Sequence, residues 1–145
     1  MIIPTEPIGS IPRPLALIEA IKEKGSSDPA LCPMFEEAIR DTIERFEATG
    51  SPVITDGEQR KYQNFASYCV DGLPNISPYG FKIQFLEHVR QLPRLTSGPF
   101  RYIMSADKFI DDARRYTKLP LKQAVISPSA LSIMYPAEAI PGLFA

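Results

Sequence analysis

The run Thr49-Gly50-Ser51-Pro52-Val53-Ile54-Thr55-Asp56-Gly57-Glu58-Gln59 decides the fold class, because a helix ends in it and a strand begins. Upstream, Phe35, Ala38, Ile39, Thr42, Ile43 and Phe46 recur at three- and four-residue steps, while Glu36, Glu37, Arg40, Asp41, Glu44 and Arg45 take the opposite face. That spacing is the stripe of an amphipathic helix. Gly50 suits the left-handed position just past a helix end. Pro52-Val53-Ile54-Thr55 is then a short β-rich run closing on the turn residues Asp56-Gly57-Glu58. A strand this close behind a helix is the signature of an α/β unit.

The same alternation is expected on both sides. Ile2 and Ile3 before Pro4 form a short apolar run of strand type, and Pro7, Pro12 and Pro14 make the next segment a rigid loop. From Pro14, Leu15, Ile18 and Ile21 recur with Leu17 until Gly25, which predicts a first helix; Asp28-Pro29 starts the second. Residues 59–95 lack periodicity, with Tyr62, Phe65, Tyr68, Tyr79, Phe81 and Phe85 scattered among Gly, Pro, Asn and Ser. They are expected to form a long ordered loop excursion with a small hairpin near Phe81 to Phe85. Phe100 to Met104 reads as a strand, and Ser105 as the cap of a helix whose face is Phe109, Ile110, Ala113 and Tyr116. Leu121 to Ile126 reads as a buried strand leading into Ser127-Pro128-Ser129 and a short helix from Ala130 to Tyr135. About four β-to-α steps in one domain, residues 1–145, imply a parallel sheet with helical crossovers. Sites are then expected in the loops after the strands, at Ser10, Glu58, Ser105 and Ser127. The tail from Pro136 to Ala145 closes with no helix, so the expectation is a truncated domain.

Composition narrows the partners. In 145 residues, 44% hydrophobic and 23% charged side chains are a globular mixture, and 16 basic against 17 acidic residues leave a formal charge of −1. A nucleic-acid binder would carry a basic footprint, so that class is set aside. The chain has neither an apolar run of membrane-spanning length nor a basic leader followed by an apolar stretch. A soluble, unexported, cytoplasmic protein is expected. The two cysteines, Cys32 and Cys69, are too few and too far apart for a disulfide scaffold.

Four places can carry chemistry. Ile8-Gly9-Ser10 combines a flexible residue, a hydroxyl and backbone N–H groups near a helix start, which suits a carboxylate or phosphate, although it also suits an ordinary turn. Asp56-Gly57-Glu58 sets two carboxylates at a strand end, fit for an ammonium, a metal or acid–base work, or for a merely solvated turn. Lys122 lies within an apolar run, where an ammonium must meet a carboxylate such as Glu58 or face a ligand. His88, Cys32 and Cys69 are the remaining metal-ligating types, but no Cys-x-x-Cys or His-x-x-x-His spacing joins them, so no metal site is expected from this chain alone. Nor does any spacing single out a phosphate loop, a nucleophile elbow or a catalytic triad.

Two strings go further. Thr5-Glu6-Pro7-Ile8-Gly9-Ser10-Ile11-Pro12-Arg13 together with Thr49 to Gln59 resembles the cobalamin-independent methionine synthase family in its single-module form. The likeness continues through Gln91-Leu92-Pro93-Arg94-Leu95-Thr96, Gly98-Pro99-Phe100-Arg101-Tyr102 and Pro120 to Ser127, as far as Tyr135-Pro136. It implies the first half of a (β/α)8 TIM barrel in which a zinc-bound homocysteine thiolate takes the methyl group of 5-methyltetrahydrofolate to give methionine. It also implies that Ile8, Ser10 and Glu58 bind the amino-acid part of homocysteine, with Glu58 on the ammonium and Ser10 with nearby N–H groups on the carboxylate. Asp56 and Lys122 are weaker candidates for the same site. The family's zinc ligands belong to the second half of the barrel, so catalytic and metal residues are expected outside this chain. The missing half is expected from a longer chain or another subunit. Two alternatives stay open: an alkyltransferase with another thiol acceptor, and a non-catalytic half-barrel serving assembly or regulation.

Overall fold

A computed structural model describes residues 5–61, 67–70, 72–85 and 88–134. They group into two compact units, one of residues 1–63 with 106–124 and one of residues 64–105 with 125–145. The expected first strand at Ile2 and Ile3 and the tail from Tyr135 lie outside the described residues.

In the first unit, α1 (Leu15–Lys24) follows Pro14 at φ −53° and ends at Gly25, whose φ of 83° lets its N–H turn back to the Ile21 carbonyl at 2.8 Å. Its buried residues are Leu17 and Ile21, while Leu15 is 70% exposed. Of the face expected from Leu15, Leu17, Ile18 and Ile21, Leu17 and Ile21 are buried and Ile18 is half-buried, and Leu15 is corrected to an exposed position. At 3.6 residues per turn Leu15 stands roughly 200° around the axis from Leu17, and only the Leu17–Ile21 pair aligns along one side. That side packs with Leu31, Phe35 and Ala38 in one apolar cluster.

A 3-10 turn, Pro29–Leu31, leads into α2 (Cys32–Ala48), and the Asp28 carboxylate caps it by accepting the Ala30 N–H at 2.8 Å. The helix buries Phe35, Ala38, Ile39, Thr42 and Ile43, the stripe anticipated from the sequence, and the Thr42 hydroxyl satisfies itself on the Ala38 carbonyl at 2.7 Å. Gly50 follows the helix end at φ 74°. The expected strand at 52–55 contracts to one parallel bridge, Ile54 to Leu121, held by Ile54 N–H on the Pro120 carbonyl at 2.9 Å and Lys122 N–H on the Ile54 carbonyl at 3.0 Å. Ile39 and Ile43 of α2 and Ala113 of α3 (Asp107–Ala113) cover it, with Phe46, Tyr116 and Leu121 at the margin. Burying such a side chain contributes about 1.5–3 kcal/mol, far more than one bridge can. The helices therefore hold the strand ends in place.

Ser105 does not cap α3. Ala106 occupies the N-cap position with no side-chain bond, and Asp107 supplies the acidic first turn instead. Arg60 lies between α2 and α3, 3.6 Å from Glu36 and 3.6 Å from Asp112, with its guanidinium 5.6 Å from the Phe35 ring centre.

The second unit holds two short antiparallel pairs. β1 (Ile76–Ser77) pairs with β4 (Arg94–Leu95), and β2 (Lys82–Phe85) pairs with β3 (His88–Gln91) in the register Lys82 to Gln91 and Phe85 to His88. The hairpin sits where the aromatic-rich excursion was expected to contain one. Phe100 to Met104 is corrected from strand to irregular chain: among the described residues it makes no ladder, Ile103 N–H meets the Cys69 carbonyl at 2.9 Å, and Tyr102 and Ile103 are exposed. α4 (Pro128–Leu131) is capped by the Ser127 hydroxyl, which accepts the Ala130 N–H at 3.2 Å, and passes into a 3-10 turn at Ser132–Met134.

The chain is thus a partial α/β fold. Among the described residues there is no barrel, and parallel pairing is confined to Ile54 and Leu121. The buried strand expected from Leu121 to Ile126 is corrected: among the described residues only Leu121 of this run pairs, with Ile54, while Leu121 to Ala124 are half-buried and Val125 is exposed. No helix among the described residues is long and apolar enough to cross a membrane.

Candidate functional site

The Asp56-Gly57-Glu58 turn leaves the Ile54 bridge with two successive residues in the left-handed region, Gly57 at φ 69° and Glu58 at φ 56°. Glycine accepts that conformation freely, but a glutamate gives up roughly 1–2 kcal/mol to hold it. Its surroundings supply the compensation. Asp56 Oδ1 accepts the Glu58 N–H at 2.9 Å, and the Arg13 guanidinium donates to the Glu58 carbonyl at 3.0 Å and the Gln59 carbonyl at 2.9 Å. Ile11 N–H donates to the Gly57 carbonyl at 3.1 Å, which ties the loop of Ile8, Gly9 and Ser10 to the turn.

Two glycines let this junction close, Gly57 through its positive φ and Gly9 through its nearness to the Glu58 carboxylate. A Cβ on Gly9 would stand 2.9 Å from Glu58 Oε1, and one on Gly57 would stand 2.7 Å from Ile11 Cγ1 and 2.9 Å from Thr42 Cγ2. Two motifs far apart in sequence are therefore pressed together, with the Glu58 carboxylate between them. Asp56 is 1% exposed, Glu58 6% and Lys61 5%.

Lys61 is the principal residue that the sequence reading missed. Its Nζ lies 3.5 Å from Glu58 Oε1, donates to the Ala124 carbonyl at 2.7 Å and stands 5.5 Å from the Phe109 ring centre. Burial pushes its ammonium below the ordinary lysine value, while the Glu58 and Asp56 carboxylates pull it back up. The sequence offers only its position, three residues past a turn glutamate, and nothing in it marks the burial. Gln123 was likewise not singled out. Its amide donates to Asp56 Oδ1 at 2.5 Å, and its Oε1 is buried with no hydrogen-bond partner among the described residues. Asp56 and Glu58 bring two carboxylates to this turn, and Lys61 and Arg13 bring two cations.

The other sequence candidates fall around this cluster. Ile8 is 92% exposed, and Ser10 is exposed beside the buried Gly9. Lys122 does not meet Glu58; its half-exposed ammonium pairs with Glu6 at 3.1 Å. Among the described residues no three His, Cys, Asp or Glu side chains converge as metal ligands. Cys32 is exposed at the start of α2, and Cys69 is buried, with burial pushing its thiol up. The described residues thus do not fit a zinc centre. A surface concavity of about 620 Å³ next to Glu47, Tyr116 and Lys118 shares no residue with Glu58, and its Arg115 is already paired with Glu36 at 3.2 Å.

No protein-family model and no curated protein sequence matches the chain. Among solved structures it is similar to a B12-independent methionine synthase from Shewanella sp. W3-18-1, determined in complex with selenomethionine. The TM-score is 0.70 at 19% sequence identity, over 91% of this chain and 40% of the other. The likeness is one of fold, and the chain spans less than half the length of that protein.

Proposed function

We propose that this chain is the amino-acid-binding part of a methyltransferase that moves a methyl group from 5-methyltetrahydrofolate to homocysteine, and that it forms part of a (β/α)8 barrel. The observation that carries the reading is the buried Glu58 carboxylate held against Gly9. It sets an acid in the turn that the Ile11 N–H ties to the Ile8 to Ser10 loop, in which Ser10 is exposed. The resemblance of the loop and turn motifs supports it, as does the shared fold with a methionine synthase.

In this reading Glu58 accepts the ammonium of homocysteine, Ser10 and the backbone at Ile8 to Ser10 meet its carboxylate, and Asp56 holds Glu58 through its N–H. Lys122, paired with Glu6, stands at the margin. Zinc and the folate donor belong to the complete enzyme. In this reading the part the residues described here play is to bind and orient the amino acid.

The test is calorimetric titration of the full chain with L-homocysteine and with the corresponding thiol acid that lacks the α-amino group. A charge-assisted hydrogen bond to Glu58 is worth about 1.5–3 kcal/mol, so the thiol acid binds roughly tenfold or more weakly. Equal affinity for the two ligands would overturn the reading.

A further inference from the structure

We propose that Lys61 is a positioning residue for the ammonium site: it ties one oxygen of Glu58 and leaves the other for the ligand. The inference rests on the reading of Glu58 as the amino-acid ammonium acceptor and names the residue that sets its geometry.

The two carboxylate oxygens of Glu58 are not equivalent. Oε1 is the oxygen that faces Lys61 Nζ, at 3.5 Å, and it lies on the Gly9 side. Lys61 is itself fixed at more than one point. Its ammonium donates to the Ala124 carbonyl at 2.7 Å and lies over Phe109, so it cannot follow Glu58 outward. Among the groups facing it are the Glu58 and Asp56 carboxylates, and Asp56 is itself bound to the Glu58 N–H and the Gln123 amide. A buried ammonium held by a backbone carbonyl and a ring face is a fixed positive charge, and a fixed charge fixes its carboxylate partner. With Lys61 on Oε1, Oε2 is where a ligand ammonium meets the carboxylate.

Removing the Lys61 ammonium frees Glu58 Oε1 and lets the carboxylate rotate. Lys61→Ala also leaves a space shaped for propylammonium, which restores the missing charge and stem. Lys61→Met keeps the stem packed on Phe109 and serves if the alanine variant does not fold. Two readouts separate this inference from the reading beneath it. The first needs no amino acid: the Glu58 carboxyl ¹³C resonance, assigned with Glu58→Gln, shifts in Lys61→Ala and Lys61→Met and returns in Lys61→Ala with propylammonium. The second is L-homocysteine affinity, which falls at least about tenfold in both variants and recovers with propylammonium in Lys61→Ala.

An unmoved Glu58 resonance in folded variants overturns the inference, as does unchanged affinity or loss that propylammonium does not recover. If wild type binds no L-homocysteine while the resonance shifts and recovers as stated, the ammonium-site reading falls and the hold of Lys61 on Glu58 stands.

Discussion

Lys61 Nζ and Glu58 Oε1 stand 3.5 Å apart with their side chains 0% and 8% exposed, three residues apart in sequence and joined across a left-handed turn. Neither charge would be stable there alone, since an unpaired buried ion costs several kcal/mol. The pair also has a pH signature. Burial lowers the Lys61 ammonium from its ordinary value of 10.5, so the folded chain releases this proton at lower pH than the unfolded chain does. Between the lowered value and 10.5 the unfolded state holds more protons, and stability rises with pH across that window. Below it, the penalty for the buried ammonium is present in full. Lys61→Met removes this contribution. Urea unfolding from about pH 7 to about pH 10 is therefore expected to show the wild-type stability rising relative to the variant at the alkaline end. A difference that stays flat over that range would contradict the burial of the ammonium.

Gly9→Ala is expected to separate binding from folding. The new Cβ meets Glu58 Oε1 at 2.9 Å and Ala124 Cβ at 3.4 Å, so the end of one side chain must move while the backbone can stay. The stability loss should be about 1 kcal/mol or less, and L-homocysteine affinity should fall roughly tenfold. Urea midpoints and calorimetry check the two halves. A full-strength site in the alanine variant would mean that Gly9 does not touch the working carboxylate.

Gly57→Ala should instead be a folding lesion. Its φ of 69° disfavours any L side chain, and the Cβ would lie 2.7 Å from Ile11 Cγ1 and 2.9 Å from Cγ2 of the buried Thr42. Strain and overpacking together predict a loss of about 2–4 kcal/mol in denaturant unfolding. A loss below about 1 kcal/mol would show that the turn relaxes.

Leu17→Ala and Leu15→Ala test the orientation of α1. Leu17 is 1% exposed and packs with Phe35 and Ala38, so its truncation should lower stability by about 2–5 kcal/mol. Leu15 is 70% exposed, and its truncation should fall within about 0.5 kcal/mol of wild type. Equal losses would return α1 to the face first expected from sequence.

These variants also mark how far the sequence could be read. The stripe from Phe35 to Ile43 was legible because five buried residues repeat at one helical period, and Gly50 ended it where the chain turns. The face of α1 was less so, because Leu15, Leu17, Ile18 and Ile21 fit more than one stripe and only the partner Phe35 chooses between them. The segment Phe100 to Met104 has the composition of a strand, yet pairing depends on a neighbour that composition does not encode. At the site, Glu58 and Asp56 stood out as acids beside a glycine. Lys61 did not, because a lysine in a polar stretch carries no mark of its burial between Glu58, Ala124 and Phe109. Lys122 attracted attention for the converse reason: its apolar flanks suggested burial, and the structure gives it Glu6 at a half-exposed position.

The central claim is that Glu58 receives the ammonium of an amino acid. Calorimetric titration of L-homocysteine into the full chain and into its Glu58→Gln variant tests it most directly, since the amide keeps the shape of the side chain and removes its charge. The account predicts measurable binding by wild type and at least about tenfold weaker binding by the variant, the loss expected for a charge-assisted hydrogen bond. Equal binding by the two proteins, or none by wild type, would contradict it.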